Sequence, residues 1–299
     1  MTVLLVGGLG YIGSVLSEAL PRAGIGLHRC DGGDNALGEL GADLDYPCRY
    51  QELSRADLKG YSDVLWFAGH SSVGKSVSDP VGCIRNNCLD LFEFATRLSP
   101  GCRLIYASSA SLYSTSSNRE APVPLSAEGA NISPSNNEYD VSKFAFDYIA
   151  GTFLQGTVGL RMGTVSGWSP RLREDLVFNA MNLSALRENI VRVSNPQCYR
   201  SLFFLTDLTA LITRLLTAHQ GFAGLINGSS FSGTIADIGA GVAKYHGATL
   251  SVEDDTVGPY SFRLDDTLMR GLIGDVEQSP LSVHCERFSR LLRTEGRDR

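Results

Sequence analysis

The segment Gly7-Gly8-Leu9-Gly10-Tyr11-Ile12-Gly13 constrains the fold more than any other, because it joins two different periodicities. Before it, Thr2–Val6 is a continuous apolar run of strand length. After it, Tyr11–Ala23 reads as an amphipathic helix. A glycine-rich turn between a buried strand and a helix opens a parallel α/β unit. Gly7 permits the tight turn, Gly10 lets a ligand approach the backbone, and Gly13 lets helix and strand pack closely. The first amides of the helix, at Tyr11 and Ile12, then face an anion. The same spacing also occurs in ordinary strand-to-helix turns, so the loop alone fixes no ligand.

The rest of the first half repeats the alternation. Ile25–Cys30, Val64–Ala68, Leu104–Ala107 and Thr157–Met162 read as strands, and Pro80–Leu98 and Asn136–Phe153 as helices. Between Ser114 and Asn137 the composition turns to Ser, Pro, Asn and Glu, the signature of a long surface loop. The pattern predicts a doubly wound parallel sheet over residues 1–165 and a smaller lobe over 166–299. Residues 202–227, a strand followed by a helix, are expected to return to the first unit.

Apolar residues make up 43% of the 299, enough for a large core. A net charge of -6 argues against nucleic acid or an anionic membrane as partner. No apolar run is long enough to span a bilayer, and the N-terminus lacks the charged start of a secretory signal. The cysteines number seven and lack paired spacing, so they read as reduced thiols rather than disulfides or metal ligands. Together these features point to a cytoplasmic protein without a bound metal.

Asp31 follows the second strand about twenty residues after the glycines, where a carboxylate can hold the hydroxyls of an adenosine ribose and repel a 2′-phosphate. The expected cofactor is therefore NAD rather than NADP, although Arg29 stands nearby. Tyr139 and Lys143 are spaced to share one helix face. A phenol of ordinary pKa about 10 becomes a usable base beside an ammonium and a cationic nicotinamide. Ser109 ends the Leu104–Ala110 strand segment at the sheet edge where ligands bind, placed to orient a substrate oxygen.

Taken together, these motifs resemble the extended short-chain dehydrogenases of the nucleotide-sugar epimerase/dehydratase family. Trp66-Phe67-Ala68-Gly69-His70 is similar to the cofactor-lining segment of UDP-galactose 4-epimerases, Asn86-Asn87 to the family's paired asparagines, and Ser108-Ser109-Ala110-Ser111-Leu112-Tyr113 to its serine strand end. Leu160-Arg161-Met162-Gly163-Thr164 matches the strand after the catalytic helix. Arg200 and Asp207 fall at the family's phosphate-binding arginine and the aspartate that follows it. The resemblance implies NAD held by Gly7, Gly10, Tyr11, Ile12, Gly13, Asp31, Leu53, Phe67, Ala68, Gly69, Asn86, Tyr139 and Lys143. It implies catalysis by Ser109, Tyr139 and Lys143, and substrate contacts from Ser109, Tyr139, Thr164 and Arg200. It also implies a homodimer paired through the Pro80–Leu98 and Tyr139 helices, with Cys88, Leu91, Phe92, Ala95, Phe146 and Ile149 as candidates for the seam.

The acids that family dehydratases and decarboxylases carry are missing at Ala110 and Ser111, which favours epimerisation or simple redox chemistry. Thr164 replaces a substrate-binding asparagine. Arg263 is a poor match to the family's C-terminal arginine, and the acidic pair Glu174-Asp175 looks unhelpful for a diphosphate. His70 reads as pocket-lining or structural, and Trp168 and Tyr199 are candidates to line a substrate pocket. The leading expectation is a nucleotide-sugar epimerase that oxidises a sugar hydroxyl, at C4, and reduces it again. A sugar reductase or dehydrogenase with exchangeable NAD(P), and a non-catalytic dinucleotide sensor, stand as alternatives.

Overall fold

The computed structural model describes residues 1–32, 44–71, 73–114, 123, 125–132, 137–253, 260–274 and 279–294. Most of the Ser114–Asn137 loop, along with Gly33, Asp34, Ser72 and 257–259, lies outside them.

In the first half, strands β1 (Thr2–Val6), β2 (Gly26–Cys30), β3 (Asp63–Trp66) and β4 (Arg103–Ser109) alternate with helices. Those helices are α1 (Tyr11–Arg22), α2 (Val73–Ser78), α3 (Pro80–Ile84) and α4 (Asp90–Ala95). A π-helical turn at Arg85–Leu89 joins α3 to α4, so the expected long helix is one rod with a widened turn. β5 (Leu125–Ser126), α5 (Glu138–Phe153), β6 (Thr157–Met162) and β7 (Thr164–Ser166) follow. The second half runs α6 (Val177–Glu188), β8 (Ile190–Ser194), β9 (Tyr199–Phe204), α7 (Leu205–Thr217), β10 (Gly224–Gly228) and β11 (Phe231–Thr234). It ends with α8 (Ile235–His246), β12 (Thr249–Glu253), β13 (Arg263–Leu264), α9 (Thr267–Ile273) and α10 (Leu281–Thr294).

Six parallel strands in the order β10-β6-β4-β3-β1-β2 form the central sheet, the doubly wound arrangement of a Rossmann-type fold. The inner strands β1, β3 and β4 are buried on both faces, as their apolar runs require, whereas the edge strand β2 alternates between exposed and covered positions. One face packs Leu16 and Leu20 of α1 with Leu208, Leu211 and Leu215 of α7. The other packs Leu91 and Phe94 of α4 with Phe146 and Ala150 of α5. The chain thus comes back through α7 and β10 to complete the sheet. A three-stranded sheet β11-β9-β7 and the pair β12-β8, with α6, α8 and α10, build a second core around Phe178, Val193, Ile238 and Phe288. Within the described part of the long loop, β5 pairs in parallel with β13.

Candidate active site

At the end of β1 the chain turns at Gly7, whose φ of +90° lies in the left-handed region. A Cβ on Gly7 would stand 2.7 Å from the Ala68 nitrogen, and one on Gly13 only 2.0 Å from the Gly7 carbonyl oxygen. Neither position admits a side chain. From β2, the Asp31 carboxylate braces the loop by accepting a hydrogen bond from Leu9 N at 2.9 Å. Gly7, Gly10, Asp31, Phe67, Gly69 and Asn86 line a cleft of about 470 Å³. It runs on, past Gly10 and the Phe67–Gly69 turn, into a second chamber of about 660 Å³ lined also by Tyr11 and Ile12. Volumes of this size suit small-molecule ligands. A side-chain-free turn at a helix N-terminus, with a carboxylate at one end, fits a dinucleotide.

The second chamber contains Ser109, Tyr139, Lys143, Thr164 and Arg200. Asn137 caps α5 by accepting from Asp140 N at 2.9 Å, which fixes the helix start and puts Tyr139 in its first turn. Lys143 follows one turn later. Its buried Nζ donates to the Ala107 carbonyl at 2.9 Å and lies 5.8 Å from the centre of the Tyr139 ring. Burial pushes the Lys143 ammonium down to about 8, against the pull of Asp147. Burial also pushes the Tyr139 phenol up to about 12, opposed by a hydrogen bond with the Ser109 hydroxyl. Asp147 in turn takes Tyr106 Oη at 3.0 Å and Arg161 Nε at 2.8 Å, tying α5 to β4 and β6.

The same chamber is also lined by Arg171, Arg173 and Arg200, with Asp175 beside them. Arg200 Nη1 donates to the Tyr199 carbonyl at 2.9 Å, and its guanidinium lies 5.6 Å from the centre of the Phe262 ring. Among the described residues no carboxylate pairs with it, and burial pushes it down to about 10. Arg171 lines the same chamber, and its Nε is buried without a partner. Arg173 is neutralised by Asp175 at 2.6 Å and reaches the Ser71 carbonyl.

Several sequence expectations land elsewhere. Glu174 and Asp175 each pair with an arginine, Arg187 and Arg173 respectively, so they do not oppose an anion as unpaired charges would. Leu53 is a core residue and lines neither chamber; its carbonyl accepts from Arg97. Trp168 faces a neighbouring cavity, and Tyr199 stacks under Arg263. Asp207 lies in the first turn of α7 with Thr206 as a partner, away from the chambers. His70 lines the second chamber and is held by Asn86 at 3.3 Å and Asp79 at 3.2 Å. Arg49, Tyr50 and Gln51, which line the cleft beside Asp31, and Arg171, which lines the second chamber, carry no local mark that sequence reasoning could read. The end of β4 carries no acid, as expected, yet the fold brings the Asp140 carboxylate from α5 against Ser111.

A Rossmann-type sheet with a glycine turn, a carboxylate after β2 and a Ser-Tyr-Lys centre at the sheet edge defines an extended short-chain dehydrogenase/reductase. The profile of the NAD dependent epimerase/dehydratase family matches residues 3–226, and the chain belongs to that family. NAD is the cofactor of that family, and the residues here fit it. A UDP-glucose 4-epimerase of Streptomyces lividans is 34% identical over 156 residues, covering 49% of this chain and 45% of the relative. One from Yersinia enterocolitica is 31% identical over 171 residues, covering 51% and 48%. The chain thus spans about half the length of the curated relatives it matches. Among solved structures, TunA, an NAD-dependent NDP-hexosamine 5,6-dehydratase of tunicamycin biosynthesis, superposes with a TM-score of 0.82 at 20% identity, over 100% of this chain and 99% of that one. The UDP-glucuronic acid 4-epimerase of Bacillus cereus gives 0.79 at 20% identity, over 99% and 100%. Among the described residues no helix is long and apolar enough to cross a membrane.

Proposed function

We propose that this chain is an NAD-dependent nucleotide-sugar epimerase that transiently oxidises a sugar hydroxyl, at C4, to a ketone and reduces it again. The observation that carries this reading is the chamber that holds Tyr139, Lys143 and Ser109 together with Arg200, which no carboxylate among the described residues compensates. When bound, the dinucleotide supplies reversible acceptance of a hydride from the sugar carbon. Gly7, Gly10, Tyr11, Ile12 and Gly13 hold its diphosphate, Asp31 its adenosine ribose, and Phe67, Ala68, Gly69 and Asn86 the adjoining wall.

Tyr139 takes the proton of the sugar hydroxyl and returns it. Lys143 and the positive charge of the oxidised cofactor bring the phenol down from the value that burial imposes. Ser109 orients the reacting oxygen, and Thr164 lines the sugar side. Arg200 pairs with the diphosphate, for which a bidentate guanidinium is suited. A homodimer through α3–α4 and α5 is part of this reading, as is the division into a dinucleotide unit (1–165) and a substrate lobe (166–299).

The test is incubation of the purified protein with a panel of nucleotide sugars, with stereochemical change followed by NMR. Interconversion of one sugar with its C4 epimer, abolished by Tyr139→Phe, is the expected result. Full turnover by Tyr139→Phe would sink the mechanism. The reductase alternative predicts instead that NAD exchanges freely, so release of stoichiometric NAD on denaturation separates the two.

A further inference from the structure

The cavity that Trp168 faces holds about 420 Å³ and shares no lining residue with the cleft or the second chamber. Its size falls in the range of small-molecule sites. Three helices wall it: α1 supplies Ala19, α7 supplies Leu205, and α10 supplies Phe288 and Leu291. Four rings line it, those of Trp168, Phe204, His284 and Phe288. His284 lies flat on Phe204, with centroids 3.5 Å apart and planes within 7°. Phe178 meets Phe204 at 5.0 Å and Phe288 at 6.1 Å, each edge to face, so packing holds these rings in place before any ligand arrives. Burial pushes the His284 imidazole down, which leaves it an uncharged ring at neutral pH.

Full charges stand only on the exposed side chains at the rim, Glu18, Arg22 and Arg287. Glu18 and Arg22 pair with each other at 3.3 Å. Among the described residues no carboxylate pairs with Arg287. The rim therefore carries one cation in excess. A flat apolar body meets the faces and edges of the four rings, while a single acid at its edge stays in water beside Arg287.

We propose that this cavity is a second ligand site, for a planar aromatic carboxylate, and that its occupancy is coupled to that of the dinucleotide cleft. The partition between them carries the coupling. Gly167, Trp168 and Pro170 face the cavity, and the next residue, Arg171, lines the second chamber. The Tyr11 hydroxyl donates to the Gly167 carbonyl at 2.7 Å, and the Ser169 hydroxyl donates to the Tyr11 carbonyl at 2.7 Å. Tyr11 opens α1 at the end that faces a diphosphate, and Ala19 of the same helix lines the cavity. Aromatic acid and dinucleotide thus bear on one helix and one segment. Each orders what the other needs ordered, so each favours the other, and linkage makes the two effects equal. The inference requires no turnover and stands apart from the epimerase reading.

The test uses 6-fluoro-2-naphthoate as probe, followed by fluorine NMR on the protein with NAD and UDP-glucose in excess. Saturable binding of one equivalent is expected, with a Kd of about 10⁻⁴–10⁻³ M. Ala19→Trp, which fills the cavity from α1, should abolish it, and Arg200→Ala should leave it unchanged. Loss in Arg200→Ala but not in Ala19→Trp would put the probe in the catalytic chamber and overturn the site. Arg287→Glu, on an exposed helix face, should weaken the probe several-fold. The uncharged 6-fluoro-2-naphthamide should bind wild type and Arg287→Glu alike, which separates lost charge from a damaged cavity. Displacement of the probe by decanoate or 2-naphthylmethylammonium at lower concentration than by 2-naphthoate overturns the assigned class. For the coupling, calorimetry on cofactor-stripped protein should show NAD binding about fivefold tighter with 2-naphthoate in excess, and NAD should tighten the probe by the same factor. An unchanged or weaker NAD affinity overturns the coupling.

Discussion

Lys143 must stay charged to favour the phenolate, yet it sits where burial disfavours charge. Desolvation pushes its ammonium down to about 8, whereas a lysine in an unfolded chain holds its proton to about pH 10.4. Between those values the unfolded chain binds more protons than the folded one, so stability rises with pH across the window. Urea titrations of cofactor-free protein should show that rise between about pH 8 and pH 10, and Lys143→Met should abolish it. Identical pH dependence in the two proteins would contradict the burial account. Arg200 presents the opposite case, a desolvated cation whose compensation has to come from a ligand. Replacing it by Ala should raise KM for the nucleotide sugar identified by NMR by roughly ten- to hundred-fold, the worth of a charged hydrogen-bond pair, with a smaller effect on kcat. Arg200→Lys should recover part of the loss, since it keeps the charge without the planar fork. An effect confined to kcat would remove Arg200 from the anion site.

At the scale of elements, β4 positions Ser109 and is itself anchored at its other end. Arg103 pairs with Asp63 at 2.7 Å and gives its terminal nitrogens to the carbonyls of Leu215 and His219, each at 2.8 Å. Those carbonyls lie at the end of α7, so one guanidinium joins two strands to a helix terminus and complements its dipole. Arg103→Met leaves Asp63 buried without its partner and should cost about 3–5 kcal/mol in chemical unfolding. The double variant with Asp63→Leu should lose much less. None of this clamp was legible in the sequence, because its members are far apart along the chain. The strands, α1 and α5 were legible, since a strand's apolar run and a helix's period are written locally. The glycine turn and the Tyr139/Lys143 pair were legible for the same reason. The π turn that presents Asn86 has no local mark, and the meeting of Asp140 with Ser111 depends on how α5 docks on β4. Leu53, Trp168 and Tyr199 went elsewhere because packing claims large apolar side chains before a site can.

For the molecule as a whole, the net charge of -6 and the arginines that line the chamber have opposite signs, so the overall charge gives no guide to the ligand. The overall surface carries a second signal at α3–α4 and α5. Of the side chains expected in a dimer seam, Cys88, Leu91 and Phe146 are buried in the core of the protomer, so they cannot meet a partner. The exposed apolar residues include Val81 and Leu89 on the rod, 70% and 56% exposed, and on α5 Val141 and Tyr148, 41% and 66% exposed, with Phe153 at the helix's last position. Val141 and Tyr148 are seven residues apart and share one face. Val81 and Leu89 are eight apart, but the π turn between them takes up the extra residue and brings them back to a common face. Two neighbouring helices thus present one apolar strip, the kind of surface a twofold interface covers. Sedimentation of the wild-type protein should give a dimer, and Leu89→Glu with Tyr148→Glu should give a monomer of unchanged unfolding midpoint at low protein concentration. A wild-type monomer, or a dimer indifferent to both charges, would place the interface elsewhere and leave this strip unexplained.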